Sequence, residues 1–199
     1  HRAKNTQLLA VMDGHGGSRV AELCNNEIGD LFMFGDSAHT RKNLSRLISD
    51  LSKITSHFNE GSTISIACVV EDCKKVSIAI LGDSPVIVLD GKGKLHISPE
   101  HNVRSNLKER EAAEKRGGIY EQGYIFANHS FIHGLQMSRA LGDVYLGKVI
   151  SHKPEIYTIS DPRWILVATD GVFDPSHGNS EDLFKEIKEF SQQNSSAQD

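Results

Sequence analysis

Cysteine is scarce in this chain: Cys24, Cys68 and Cys73 are an odd, scattered set among 199 residues. They lack the paired short spacings of a zinc ribbon and the density of a disulfide-stapled domain, so they read as ordinary buried thiols. Sparse thiols of this kind suit a reducing compartment, and a cytoplasmic or nuclear protein is expected. Long hydrophobic runs are missing as well. None approaches the roughly 18–20 residues of a membrane span, and His1 to Gln7 is polar. Positive charge is not in excess either. Twenty-two Lys and Arg face 26 Asp and Glu, for a formal charge of −4 and a pI near 6.2. Neither nucleic acid nor an anionic membrane is therefore expected as a partner, since both attract basic patches, whereas an acidic balance suits cations. No internal repeat or low-complexity linker interrupts the chain. With 38% hydrophobic and 24% charged residues, the chain can bury one sizeable core, and a single domain over 1–199 is expected.

What is present alternates between strand and helix patterns. Leu8 to Met12 is a continuous apolar run of the kind a strand buried on both faces shows. Gly14 to Gly17 breaks it. Val20, Leu23, Cys24, Ile28 and Leu31 then recur at helical spacing, as do Leu44, Leu47, Ile48, Leu51 and Phe58. Ser62 to Val70, Val76 to Leu81, Val86 to Leu89 and Lys94 to Ile97 read as strands of a meander, with Asp90-Gly91-Lys92-Gly93 as a hairpin signal. Ser105 or Asn106 can cap a charged helix through Lys115, stopped by Gly117-Gly118. Gly123 to Gly134 reads as strand plus mobile loop. Trp164 to Thr169 is a second buried strand, and Glu181 to Phe190 a last helix before a frayed tail. Strands grouped mid-chain with helices around them favour an α+β layered domain.

Three apolar runs end alike: Leu8 to Met12 into Asp13-Gly14, Val76 to Leu81 into Gly82-Asp83, and Trp164 to Thr169 into Asp170-Gly171. One Asp-Gly after a strand is ordinarily a turn. Three placed alike could converge in one cleft, where carboxylates repel unless cations neutralise them. Hard oxygen donors without clustered Cys or His select Mg²⁺ or Mn²⁺ over Zn²⁺. In Asp13-Gly14-His15-Gly16-Gly17 the bare backbone lets a carbonyl approach a metal beside the carboxylate. His15 could be a ligand, a structural histidine or a proton donor. Beside such a centre an imidazole titrating near neutrality could protonate a leaving alkoxide, so general acid is the role expected of it. A dinucleotide fingerprint fails because Arg19 stands where its third glycine belongs. No phosphate-loop Gly-Lys-Ser/Thr ending or Asp-x-Asp nucleophile pair is present.

These residues resemble the type 2C, metal-dependent serine/threonine protein phosphatases over nearly the full length. The resemblance is carried by Val11 to Gly17, Gly61-Ser62-Thr63, Leu81-Gly82-Asp83-Ser84, Glu100-His101-Asn102, Glu109-Arg110 through Gly117-Gly118, Ser138 to Asp143, and Ala168 to Asp174. It implies a four-layer α-β-β-α sandwich with two central antiparallel sheets and a binuclear Mg²⁺ or Mn²⁺ site at one edge. It further implies that Asp13 bridges the metals, Gly14 supplies a carbonyl and Asp170 binds one metal, with Asp83, Asp174 and Asp170 as candidates for a third, weaker site. A metal-bridging water would attack phosphorus, and His15 would protonate the departing Ser or Thr oxygen. The expected substrates are phosphoserine and phosphothreonine proteins, acted on by a monomer.

Several departures accompany the resemblance. Pro85 replaces the family's usual Arg. The family's upstream phosphate-gripping Arg and Glu-Asp pair have no match in His1 to Gln7. Its downstream Asp-Asn pair is matched at most by Asp199, a candidate metal ligand, so the domain is expected to lack family elements at both ends. Asp143 is expected to shape packing and stays outside the metal shell. The alternative to an active phosphatase is a catalytically impaired relative serving as a regulatory or binding module.

Overall fold

Residues 2–3, 6–32, 40–70, 74–128, 131–172, 185–187 and 189 are described by a computed structural model. In chain order its elements are β1 (Arg2–Ala3), β2 (Thr6–Val11), β3 (Gly14–His15), α1 (Arg19–Leu31), α2 (Thr40–Thr55), β4 (Gly61–Ser62), β5 (Ile64–Val70) and β6 (Lys75–Leu81). They continue as β7 (Val86–Asp90), β8 (Leu95–Ile97), α3 (Leu107–Lys115), β9 (Ile119–Glu121), β10 (Tyr124–Phe126), β11 (Leu141–Gly142), β12 (Glu155–Ser160) and β13 (Pro162–Val167).

Two periodicities build the core. Val20, Cys24 and Ile28 lie on one face of α1, and Leu44, Leu47, Ile48 and Leu51 on one face of α2. Both stripes pack on a five-stranded antiparallel sheet of order β1-β2-β5-β6-β12, against Leu8, Ile64, Ile66, Cys68, Ala79 and Leu81. The alternate residues of the same strands, Ala67, Val76, Ile78 and Ile80, point the other way and meet Val86, Val88, Ile165 and Val167 of a second sheet, β13-β7-β8. Period two thus lets β5 and β6 serve two cores at once. Each Val, Leu or Ile among them that is fully buried stabilises the fold by about 1.5–3 kcal/mol.

A smaller lobe follows. In α3, Asn106 is the N-cap, its Oδ1 accepting the Glu109 N–H at 3.4 Å. The lobe has its own core around Val103, Ala113, Ile125, Met137 and Leu146. Inside it Arg139 makes a two-pronged contact with Glu109, Nε to Oε2 at 3.0 Å and Nη2 to Oε1 at 2.6 Å, and Ser138 Oγ also donates to Glu109. Burial raises the Glu109 carboxyl, but these hydrogen bonds and the Arg139 charge outweigh it and hold the group below its ordinary value.

The architecture is an α+β sandwich of a helix pair and two antiparallel sheets. The last helix expected from the sequence falls mostly outside the described residues, of which 185–187 and 189 are helical. Three expectations are corrected. The four mid-chain strands are not one meander, because β5 and β6 belong to the larger sheet and β7 and β8 to the smaller. The chain changes sheet at Gly82–Pro85, where Gly82 takes φ +117 and a Cβ would strike the Thr63 side chain at 2.6 Å. Nor is β2 buried on both faces, since Leu9 is 42% exposed. β13 is half-buried along most of its length, because among the described strands only β7 pairs with it.

Candidate active site

Asp13 leaves the end of β2 with its backbone locked. Its N–H donates to Thr63 Oγ1 at 3.0 Å, and its carbonyl accepts Thr63 N–H at 2.9 Å and Ser62 Oγ at 3.1 Å. Thr63 Oγ1 also lies 2.8 Å from Ser84 Oγ, so a single hydroxyl ties Asp13 to the turn that carries Asp83. Asp170 opens a short 3₁₀ turn just after β13. That strand end is held in place by Ala168 N–H donating to Pro85 O at 3.1 Å. Pro85, which lacks the guanidinium the resemblance would place there, is joined to the site through its backbone.

Asp170 acts electrostatically on both Asp13 and Asp83. The Asp13 carboxyl is raised first by burial, then by the neighbouring Asp170; His15 offsets this in part. Asp83 is pushed up to about 6, chiefly by burial, with Asp170 and Glu100 adding repulsion and a hydrogen bond from Asn102 opposing it. Raised carboxyls gathered at strand ends are what an uncompensated negative cluster produces. Oxygen donors in such a field fit a hard divalent cation. Among the described residues, however, no three His, Cys, Asp or Glu side chains close into a complete ligand set. Asp174 and Asp199, the remaining expected ligands, lie outside the described residues.

His15 is placed by a separate small sheet. β3 pairs with β4, and β4 with β11, so that Gly61 is opposite His15 on one side and Gly142 on the other. Asp143 follows directly, its N–H donating to Glu60 O at 3.1 Å, and its Oδ2 lies 2.8 Å from His15 Nε2. Gly61 is needed at this crossing, because a Cβ there would lie 2.2 Å from both of those atoms. Asp143 is almost wholly buried. An ionised carboxylate accepts, so Nε2 carries the hydrogen in this contact. Among the described residues, His15 Nδ1 and Asp143 Oδ1 are screened from solvent and have no hydrogen-bond partner. The loop between His15 and α1 is anchored by Glu60, whose Oε2 accepts the Arg19 N–H at 2.9 Å and whose Oε1 accepts Arg19 Nε at 2.6 Å. Ser18, at the N-cap, makes no side-chain cap, so Glu60 supplies the acceptor to the first turn from across the site.

The sequence pattern of the family described as Protein phosphatase 2C matches residues 1–199. The chain belongs to the protein phosphatase 2C family. It is 32% identical over 179 residues to Probable protein phosphatase 2C 59 of Oryza sativa subsp. japonica, covering 84% of this chain and 53% of that protein. It is 27% identical over 198 residues to Protein phosphatase fem-2 of Caenorhabditis elegans, covering 92% and 43%. The chain thus spans about half the length of the curated relatives it matches. Among solved structures, a C. elegans sex determining protein superposes with a TM-score of 0.69 at 28% identity, over 90% of this chain and 46% of that one. A phosphatase from a pathogenic strain of Toxoplasma gondii superposes at 0.71 with 18% identity, over 94% and 76%, which speaks for the fold alone.

Of the residues singled out from the sequence, Asp13, Gly14, His15, Asp83 and Asp170 lie at neighbouring strand ends within the described structure. Asp143, expected from the sequence to shape packing, is the hydrogen-bond partner of His15. No local pattern could have paired residues 128 positions apart. Thr63 and Asn102 were also missed as supports of Asp13 and Asp83, although both stand inside segments that carry the family resemblance.

Proposed function

We propose that this chain carries a metal-dependent protein serine/threonine phosphatase activity that hydrolyses phosphoserine and phosphothreonine in proteins. The observation that carries the reading is Asp13, its carboxyl raised by burial and by the neighbouring Asp170, beside a histidine anchored on a buried aspartate. Asp13, the Gly14 carbonyl and Asp170 would hold Mg²⁺ or Mn²⁺, with Asp83, Asp174 and Asp170 serving a weaker site and Asp199 a further candidate. Divalent cations held there would neutralise the carboxylates, activate water for attack on phosphorus and screen the phosphoryl charge.

The chain's own residues supply the rest. The Thr63 hydroxyl fixes Asp13 and, through Ser84, the Asp83 turn, so the carboxylates are set before substrate arrives. Asp143 accepts from His15 Nε2, which orients the ring. His15 would give a proton to the departing Ser or Thr oxygen.

The test compares two leaving groups. His15→Ala should slow hydrolysis of a phosphothreonine peptide far more than that of an aryl phosphate, whose leaving group hardly needs a proton. Equal losses on both would reject the proton-donor role. No turnover of several phosphopeptides by the full-length wild-type protein at saturating Mn²⁺ would instead favour a binding or regulatory module on this fold.

A further inference from the structure

Two residues hold the Gly82–Asp83 turn without any role in the reaction described above. His101 is fully buried and grips Gly82 twice, its backbone N–H donating to Gly82 O at 3.1 Å and its ring Nδ1 accepting Gly82 N–H at 3.0 Å. The next residue, Asn102, donates from Nδ2 to Asp83 Oδ2 at 3.1 Å. Asn102 is itself pinned, its Oδ1 accepting Arg104 N–H at 2.9 Å and its carbonyl accepting Asn106 N–H at 2.9 Å. It also bridges to Met137 in the smaller lobe. The amide therefore has little freedom to turn away from Asp83.

We propose that Asn102 is a positioning residue for cation binding by Asp83, holding the carboxylate in one orientation while His101 fixes the backbone beneath it. This rests on the reading of Asp83 as a cation ligand. The chemistry of the donor supports the assignment. An amide is neutral, so it orients the carboxylate without cancelling the charge that attracts a cation, as an ammonium or guanidinium in the same place would. Outer partners of this kind commonly change metal affinity by about 10–100-fold when removed.

The experiment is calorimetric titration of the metal-free full-length protein with MnCl₂, comparing wild type, Asn102→Ala, Asp83→Asn and the double variant. Asn102→Ala should weaken, by about tenfold, the same class of site that Asp83→Asn removes, leave the other sites unchanged, and add nothing in the double variant. Asn102→Ser, whose hydroxyl can still accept the Arg104 N–H but is too short to reach Asp83, should behave like Asn102→Ala and guards against a folding defect. Weakening of sites that survive Asp83→Asn, or affinities within twofold of wild type in both Asn102 variants, would overturn the proposal. A wild-type protein that binds no Mn²⁺ would overturn the ligand reading of Asp83, and the proposal with it.

Discussion

Replacing Asp83 by Asn should make the metal-free protein more stable, which is unusual for a half-buried polar residue with a hydrogen-bond partner. Its carboxyl is raised from 3.8 to about 6 by burial, with Asp170 and Glu100 adding to the rise. A carboxyl raised in the folded state contributes stability below the unfolded value that is lost as pH climbs through the folded one. Between pH 4 and pH 7 the wild-type protein therefore loses up to about 3 kcal/mol at this one group. Asparagine cannot ionise, and its Oδ1 can still accept from Asn102 Nδ2. Partial relaxation leaves an expected gain of roughly 1–3 kcal/mol at pH 7.5, or roughly 2–10 °C in melting temperature for a chain of this length. The assay is thermal unfolding in excess chelator, followed by circular dichroism at pH 4 and pH 7.5. The gain should be present at pH 7.5 and vanish at pH 4, where the wild-type carboxyl is also protonated. An Asp83→Asn protein less stable than wild type at pH 7.5, or equally shifted at both pH values, would refute the reasoning.

Two further outcomes follow from the same contacts. Gly61→Ala would push a methyl between His15 Nε2 and Asp143 Oδ2, so phosphopeptide turnover should fall by about 100-fold with the protein still folded; rates within threefold of wild type would show that this pair does not matter. His101 is held down to about 4, first by burial and then by Arg139, with Glu109 opposing and Glu155 Oε2 at 3.6 Å from Nε2. A histidine kept neutral in the fold contributes stability that is lost as pH falls from about 6.5 toward 4, by up to about 3 kcal/mol. An NMR titration of the His101 ring should give a value well below 6, and a midpoint at or above 6.5 would contradict the burial argument.

Much of this was legible from residue order because it depends on local chemistry. Asp-Gly after an apolar run marks a strand end, and at two of the three ends, Asp13 and Asp83, the carboxyl feels the charge of Asp170 at the third. The helices were visible because Val20, Cys24 and Ile28, or Leu44, Leu47 and Leu51, keep a helical period that only one buried face explains. Sheet membership was not legible. β6 and β7 are both short apolar runs, and the turn between them gives no sign that the chain passes from one sheet to the other. The exposure of Leu9 has the same origin, since an apolar run does not say what covers each of its faces. Asp143 was hidden for another reason. Its role depends on β11 pairing with β4 and β4 with β3, a relation of sheet order that no spacing encodes.

The central claim is that the strand-end carboxylates hold divalent cations on which phosphate-ester hydrolysis depends. The most direct measurement is turnover of a phosphothreonine peptide by the full-length protein, stripped with chelator and then resupplied with Mn²⁺, for wild type, Asp13→Asn and Asp170→Asn. Wild type should be silent in chelator and active with Mn²⁺, and both variants should be slower by orders of magnitude at saturating metal. Robust turnover in excess chelator, or variants as fast as wild type, would contradict it.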